Sequence, residues 1–142
     1  MQLPIEVWLG GRAPSELRRV GRVGDGWLPS FCTVDEVSDG WATITDVAAQ
    51  HDRTIDPEHL GVLITYSRTE VPELMRQFLE RRRPGVVPAD IVPGGLEQLR
   101  SRIEAPIGAG ASKPVAAPPA DPPDPERQPP AVADALCALQ TR

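Results

Sequence analysis

The stretch Val7-Trp8-Leu9-Gly10-Gly11-Arg12-Ala13-Pro14-Ser15-Glu16-Leu17-Arg18-Arg19 sets the reading of the whole chain. Together with Ile5 and Glu6, its first three residues are short, apolar and partly β-branched, and they stop at two glycines, as a buried strand does on entering a tight turn. Pro14 suits the first position of a helix, and Glu16 suits the positive end of the helix dipole. Leu17, Val20 and Val23 then fall on one side, while Arg18, Arg19 and Arg22 can stay wet. A strand passes at once into a helix.

The same alternation repeats downstream. Gly24-Asp25-Gly26 breaks the helix, and Trp27-Leu28-Pro29 reads as a second short strand closed by proline. Thr33-Val34-Asp35-Glu36 is a capping box, and Val37, Trp41, Ile44, Val47 and Ala48 give the helix it opens one apolar stripe, predicted to run to about His51. Leu60 to Tyr66 is apolar on both faces, as a strand covered on both sides should be. Val71 to Arg83 is helical in pattern, with Leu74 and Phe78 inward, joined there by Met75 and Leu79, and Pro84 to Gly95 is expected to be a loop. Leu96, Leu99 and Ile103 begin another helix that Pro106 and Gly108-Ala109-Gly110 should end, before a fourth strand at Lys113 to Ala117. Strand, helix, strand without hairpin chemistry predicts parallel strands joined by right-handed crossovers, an α/β architecture. A (β/α)8 barrel spends about 31 residues per unit, so the residues before Pro114 hold between three and four units.

At 142 residues the chain has room for one domain with a tail, which excludes a complete eight-stranded barrel or a two-domain enzyme. Of its 17 prolines, eight lie between Pro114 and Pro130, so we expect a body over 1–117 and a disordered, proline-rich tail over 118–142. A net charge of −5 argues against a nucleic-acid partner, and Arg81-Arg82-Arg83 reads as a solvated helix end. The start of the chain lacks a basic and apolar leader, and no apolar run approaches membrane-spanning length, which predicts a soluble, cytoplasmic protein. Cys32 and Cys137 are the only cysteines, and the second lies beyond the run of prolines, which favours a reducing compartment over a disulfide. With His51 and His59, both expected to be exposed, they lack zinc spacing, so no metal site is expected.

Val7 to Arg19 followed by Gly24-Asp25-Gly26-Trp27-Leu28-Pro29 resembles the luciferase-like monooxygenase family, most closely its branch that uses the deazaflavin coenzyme F-420 in place of FMN. Leu60 to Tyr66, Gly94-Gly95-Leu96-Glu97-Gln98-Leu99 and Gly108 to Lys113 resemble later elements of the same family, so the likeness spans about residues 3 to 117. It implies the last four βα units of a partial TIM (β/α)8 barrel. Two departures stand out: Pro114 replaces the apolar continuation of the family's last strand, which should leave that strand malformed, and the first four units have no counterpart. The implied activity is hydride transfer with FMN or coenzyme F-420 on a small organic substrate. The alternative is a non-catalytic half-barrel that exposes inward-facing residues such as Val7, Leu9, Leu63 and Tyr66 and associates with itself or with a complementing amino-terminal half.

Gly10 and Gly11 have two readings. Glycine simply permits the strand-to-helix turn, or its small size lets a phosphate approach the N–H groups at the start of the following helix. The resemblance implies the second and adds Pro14, with Arg12 and Ser15 nearby and Trp27 on the neighbouring strand, as the cofactor-binding set. Pro14 has no N–H and offers only van der Waals contact. Asp25 is either a turn residue or a group at the barrel mouth, and Trp27 is either core or a stacking platform. Tyr66 and Ser67 end the third strand at the edge where barrel sites are built. No nucleophile, base and orienting group can be assembled from the sequence, so catalytic residues are left unknown.

Overall fold

The computed structural model describes residues 5–118 and Cys137. Along the chain it has β1 (Trp8–Leu9), α1 (Pro14–Val23), β2 (Gly26–Trp27), α2 (Val34–Gln50), a 3-10 turn (Pro57–His59), β3 (Gly61–Thr65), α3 (Glu73–Arg82), α4 (Pro88–Ile91), α5 (Leu96–Gly108) and β4 (Lys113–Ala117). β1 and β2 pair in parallel, Trp8 with Gly26 and Leu9 with Trp27. Parallel bridges Trp27–Leu60 and Ser30–Leu63 carry the second strand onto the third, and β3 pairs with β4. Strand order therefore follows chain order in a mixed α/β fold with parallel strands, as the sequence predicts.

Among the described residues two compact units divide the chain, one over 5–63 with 106–115 and the other over 64–105 with 116–118. In the first, α1 packs on α2. Gly21 makes the crossing possible, because a Cβ there would lie 2.7 Å from both the Ile44 carbonyl oxygen and the Val47 Cβ. Val20, Trp27, Val37, Ile44 and Leu60 are fully buried around this contact. Arg53 closes the far end of α1, donating to the carbonyls of Gly21 at 2.9 Å and Gly24 at 2.8 Å, which satisfies acceptors that a helix terminus leaves open. In the second unit Tyr66, Leu79, Ile91, Val92, Leu99 and Ile103 are buried. The Ser67 N–H donates to the Pro93 carbonyl and the Gly95 N–H to the Ser67 carbonyl, both at 2.9 Å, extending the third strand's pairing past Tyr66.

Several expectations are corrected. The first strand covers only Trp8 and Leu9, and Ile5 and Val7 are exposed, because a two-residue β2 limits the pairing length. Val23 is exposed as the last residue of α1. In α3 the inward pair is Met75 and Leu79, while Leu74 and Phe78 face out; apolar residues occupy two neighbouring i, i+4 rows, and only one can turn inward. The segment Pro84 to Gly95 contains α4, one turn opened by Pro88, with Ile91 and Val92 buried after it. Pro106 lies inside α5, whose end is closed by Ala109 and Ala111 N–H groups donating to the Pro106 carbonyl at 3.1 and 2.8 Å.

β4 is regular through Pro114; its one partner among the described strands is β3, and a proline is tolerated on a strand with a free side. Arg81 and Arg82 are exposed as expected, but Arg83, the non-helical residue that ends α3, is buried. Tyr66 is buried rather than laid open by a half-barrel, and His59 is half-buried rather than exposed. The expectation of a disordered tail falls outside the described residues, Pro118 and Cys137 apart. Among the described residues no helix is long and apolar enough to cross a membrane, and no group of three or more His, Cys, Asp or Glu side chains could hold a metal ion.

Candidate functional site

β1 ends at Leu9 and α1 begins at Pro14, so four residues turn the chain from strand to helix. Gly11 adopts φ +93°, a left-handed conformation natural to glycine. Its carbonyl accepts a 2.9 Å hydrogen bond from the Trp27 indole Nε1, which ties the turn to the next strand. Trp27 is completely buried. Gly10 is not under the same demand, since a Cβ there would meet only the Leu28 carbonyl oxygen at 3.4 Å.

The helix start is satisfied from within. Glu16 Oε2 accepts from the N–H of Arg12 at 2.9 Å and of Ala13 at 2.8 Å. These bonds, that from Ala13 first and that from Arg12 second, hold the Glu16 carboxyl below its ordinary range, with Arg19 and Arg12 adding favourable charge against a small opposing effect of burial. A Cβ on Gly11 would sit 2.6 Å from the same carboxylate. Gly11 is therefore required twice, by its backbone angle and by the side chain that folds over it.

Beside the turn lies a cleft of about 200 Å³ lined by Arg12, Trp27, Glu36, Asp39 and Thr43 among others. Arg12 reaches Glu36 at 4.0 Å. Ser15 is exposed on the first turn of the helix, and Pro14 holds its first position. Gly10, Gly11, Arg12, Pro14 and Ser15 thus share one turn and helix start, with Trp27 beneath. As the turn stands, a phosphate group does not fit it: the two N–H donors are taken, and a carboxylate occupies the position an anion would need. Sequence reading assigned Glu16 to the helix dipole and missed this contact. The signal was available in Glu16's place three residues after the residue preceding the helix, but Ala13 is not a capping residue and masked it.

Tyr66 and Ser67 sit at the end of the third strand in the second unit. The Ser67 hydroxyl donates to the Glu70 carbonyl at 2.7 Å and is nearly buried, so it serves the turn rather than presenting a nucleophile. Asp25 accepts from the Val7 N–H at 2.9 Å and pairs with Arg53 at 3.4 Å, a turn residue that also anchors β1. The half-buried His59 places Nδ1 2.8 Å from the Asp25 carbonyl and Nε2 3.6 Å from Glu6, with its ring against Trp8. No catalytic constellation forms among these groups.

Solved structures with this fold include a coenzyme F-420-dependent tetrahydromethanopterin reductase from Methanopyrus kandleri (15% identity, TM-score 0.58, covering 87% of this chain and 47% of that one). A monooxygenase from Streptomyces bottropensis matches at 14% identity and TM-score 0.58 over 96% of this chain and 48% of its own. An EDTA monooxygenase from a Chelativorans species matches at 15% identity and TM-score 0.60 over 98% and 45%. These neighbours belong to the luciferase-like monooxygenase family. The chain has their fold. It spans just under half the length of each. No protein-family model and no curated protein matches the chain.

Proposed function

We propose that the chain is the carboxyl-terminal portion of a luciferase-like flavin or deazaflavin oxidoreductase, the last four βα units of a (β/α)8 barrel over residues 1–117, with residues 118–142 as a tail. The observation that carries this reading is the strand pattern: β1 and β2 pair in parallel, parallel bridges lead from Trp27 and Ser30 to the third strand, and β3 pairs with β4, with helices between strands, in a chain that matches just under half of each luciferase-like neighbour. The bound cofactor, coenzyme F-420 or FMN, supplies the hydride chemistry. This chain's part is to shape the turn from Gly10 to Ser15, whose Arg12 and Ala13 N–H groups are held by Glu16. A small organic substrate and a cytoplasmic setting belong to the same reading.

A second reading, a non-catalytic half-barrel that acts by association with a partner chain or a second copy, is favoured by the exposed Ile5 and Val7 beside the short first strand. Exposed apolar side chains at a strand edge invite pairing.

Calorimetric titration of FMN and coenzyme F-420 into the full chain tests the proposal, with the native chain compared against Glu16→Ala and helix content followed by circular dichroism. Removing the carboxylate frees two donors and one negative charge, so affinity for a phosphate-bearing cofactor should rise by about threefold or more, the scale of one helix terminus acting on an anion. Equal affinity in a variant that keeps its helix content would remove the turn from the cofactor site.

A further inference from the structure

Among the described residues, β1 and β4 each have one side that no other strand covers. The carbonyls of Val7 and Leu9 accept from the N–H groups of Asp25 and Leu28 at 2.8 and 2.9 Å. By the alternation of a strand, the N–H and C=O of Trp8 therefore point to the opposite, outer side. At β4 the Ser112 and Lys113 N–H groups share the Leu60 carbonyl, and the Ala117 carbonyl accepts from Tyr66 at 3.0 Å. β3 and β4 thus run parallel, and Ala117, Val115 and Lys113 face β3. Pro114 and Ala116 carry the outer side. Val7 and Val115 are exposed on these two strand edges, whereas Val62 and Ile64 of β3 are buried.

Prolines restrict how a parallel strand can lie against the outer side of β4. In a parallel pair a residue donates to the carbonyl one place before its opposite number and accepts from the N–H one place after it. Trp8 opposite Lys113 would need an N–H from Pro114, and Trp8 opposite Ala117 would need one from Pro118; proline has none. Opposite Val115, Trp8 donates to the Pro114 carbonyl and accepts from the Ala116 N–H, so both bonds form. Carried back two residues, the same register sets Glu6 opposite Lys113, an acid across from a base. Within its own chain Glu6 accepts from the Trp8 indole at 3.1 Å, and the Lys113 ammonium lies 4.9 Å from the centre of the Trp8 ring. A carboxylate and an ammonium each have capacity for a further partner.

We propose that a second copy of this chain is that partner: β1 of each copy pairs in parallel with β4 of the other, Trp8 opposite Val115, about a two-fold axis. The proposal rests on the half-barrel reading and names the occupant of its open edges. Both members of the fitted pair, the Trp8 edge and the Pro114–Ala116 edge, belong to this chain, so one two-fold operation covers all of them. Two copies also span about the length of one luciferase-like neighbour.

Sedimentation velocity and native mass spectrometry on the full chain test the pairing. The native chain should form dimers. Ala116→Pro removes the outward N–H without touching a bond to β3, and should give monomers with unchanged helix content by circular dichroism. Glu6→Lys and Lys113→Glu each set like charges opposite one another twice per dimer, and each should weaken self-association about tenfold. Mixed in equal amounts, the two variants regain both opposite-charge pairs and should form a heterodimer of near-native affinity. Dimers that survive Ala116→Pro, or charge variants that gain nothing on mixing, would overturn the edge pairing and leave the half-barrel reading in place. A native chain that is a monomer with cooperative melting would overturn both.

Discussion

Helices α1 and α2 start with the same device and rest on it differently. At α2 the bonding is reciprocal: the Thr33 hydroxyl accepts from the Glu36 N–H at 3.3 Å, and Glu36 Oε2 accepts from the Thr33 N–H at 2.8 Å. At α1 the residue before the helix is Ala13, which has no side-chain acceptor, and Glu16 alone takes the two N–H groups of Arg12 and Ala13. The first helix start therefore depends on one exposed carboxylate folded against a left-handed glycine, whereas the second shares its bonds between two side chains. A helix end held by one group can be opened by removing that group, and it is the α1 end that faces the turn proposed for the cofactor.

The sharpest way to break the α1 arrangement is Gly11→Ala. The substitution forces a Cβ into a backbone at φ +93° and against the Glu16 carboxylate, and should destabilise the first unit by about 2 kcal/mol, read as a lower midpoint in urea unfolding. Measured in a Glu16→Ala background, Gly11→Ala should still cost the part due to the backbone angle, so no further loss there would show that the angle costs nothing.

A smaller effect is expected from exchanging the two caps. Thr33→Ala should cost about 1 kcal/mol, while Ala13→Ser, which gives α1 the side-chain acceptor it lacks, should add a fraction of that. Equal and opposite responses would mean that the two helix starts are equivalent after all.

The smallest effect is set by pH. The folded Glu16 carboxyl lies below its ordinary value of 4.5, so its contribution is present above that value and is lost as pH falls through the lower folded one. Glu73 behaves the same way, held down first by the Gln77 hydrogen bond and then by Arg76. Thermal unfolding followed from pH 7 to pH 3 should show a decline that Glu16→Gln partly flattens, because glutamine does not titrate. An identical slope in native chain and variant would show that Glu16 is not engaged in solution.

Much of the fold was legible before any coordinates. The Gly-Gly turn, Pro14 and the Thr33–Glu36 box each encode a local backbone choice made by neighbouring residues, and the helices start where those residues place them. α3 shows the limit. Leu74, Met75, Phe78 and Leu79 satisfy the helical period on two adjacent rows, and only packing decides that Met75 and Leu79 turn inward. α4 escaped because the prolines and glycines of Pro84 to Gly95 dominate the local signal, although a proline is well suited to the first position of a single turn.

At the candidate site the division is similar. The sequence by itself determined a strand, a glycine turn and a helix start, because glycine and proline restrict the backbone through their own covalent geometry. Only the tertiary structure decided that Trp27 is buried beneath the turn with its indole N–H on the Gly11 carbonyl, and that Glu16 fills the position an anion would take. Both outcomes turn on where a side chain from another part of the chain, or from the next helical turn, comes to rest. Distances between groups apart in sequence are set by packing, and no local pattern of residue types contains them.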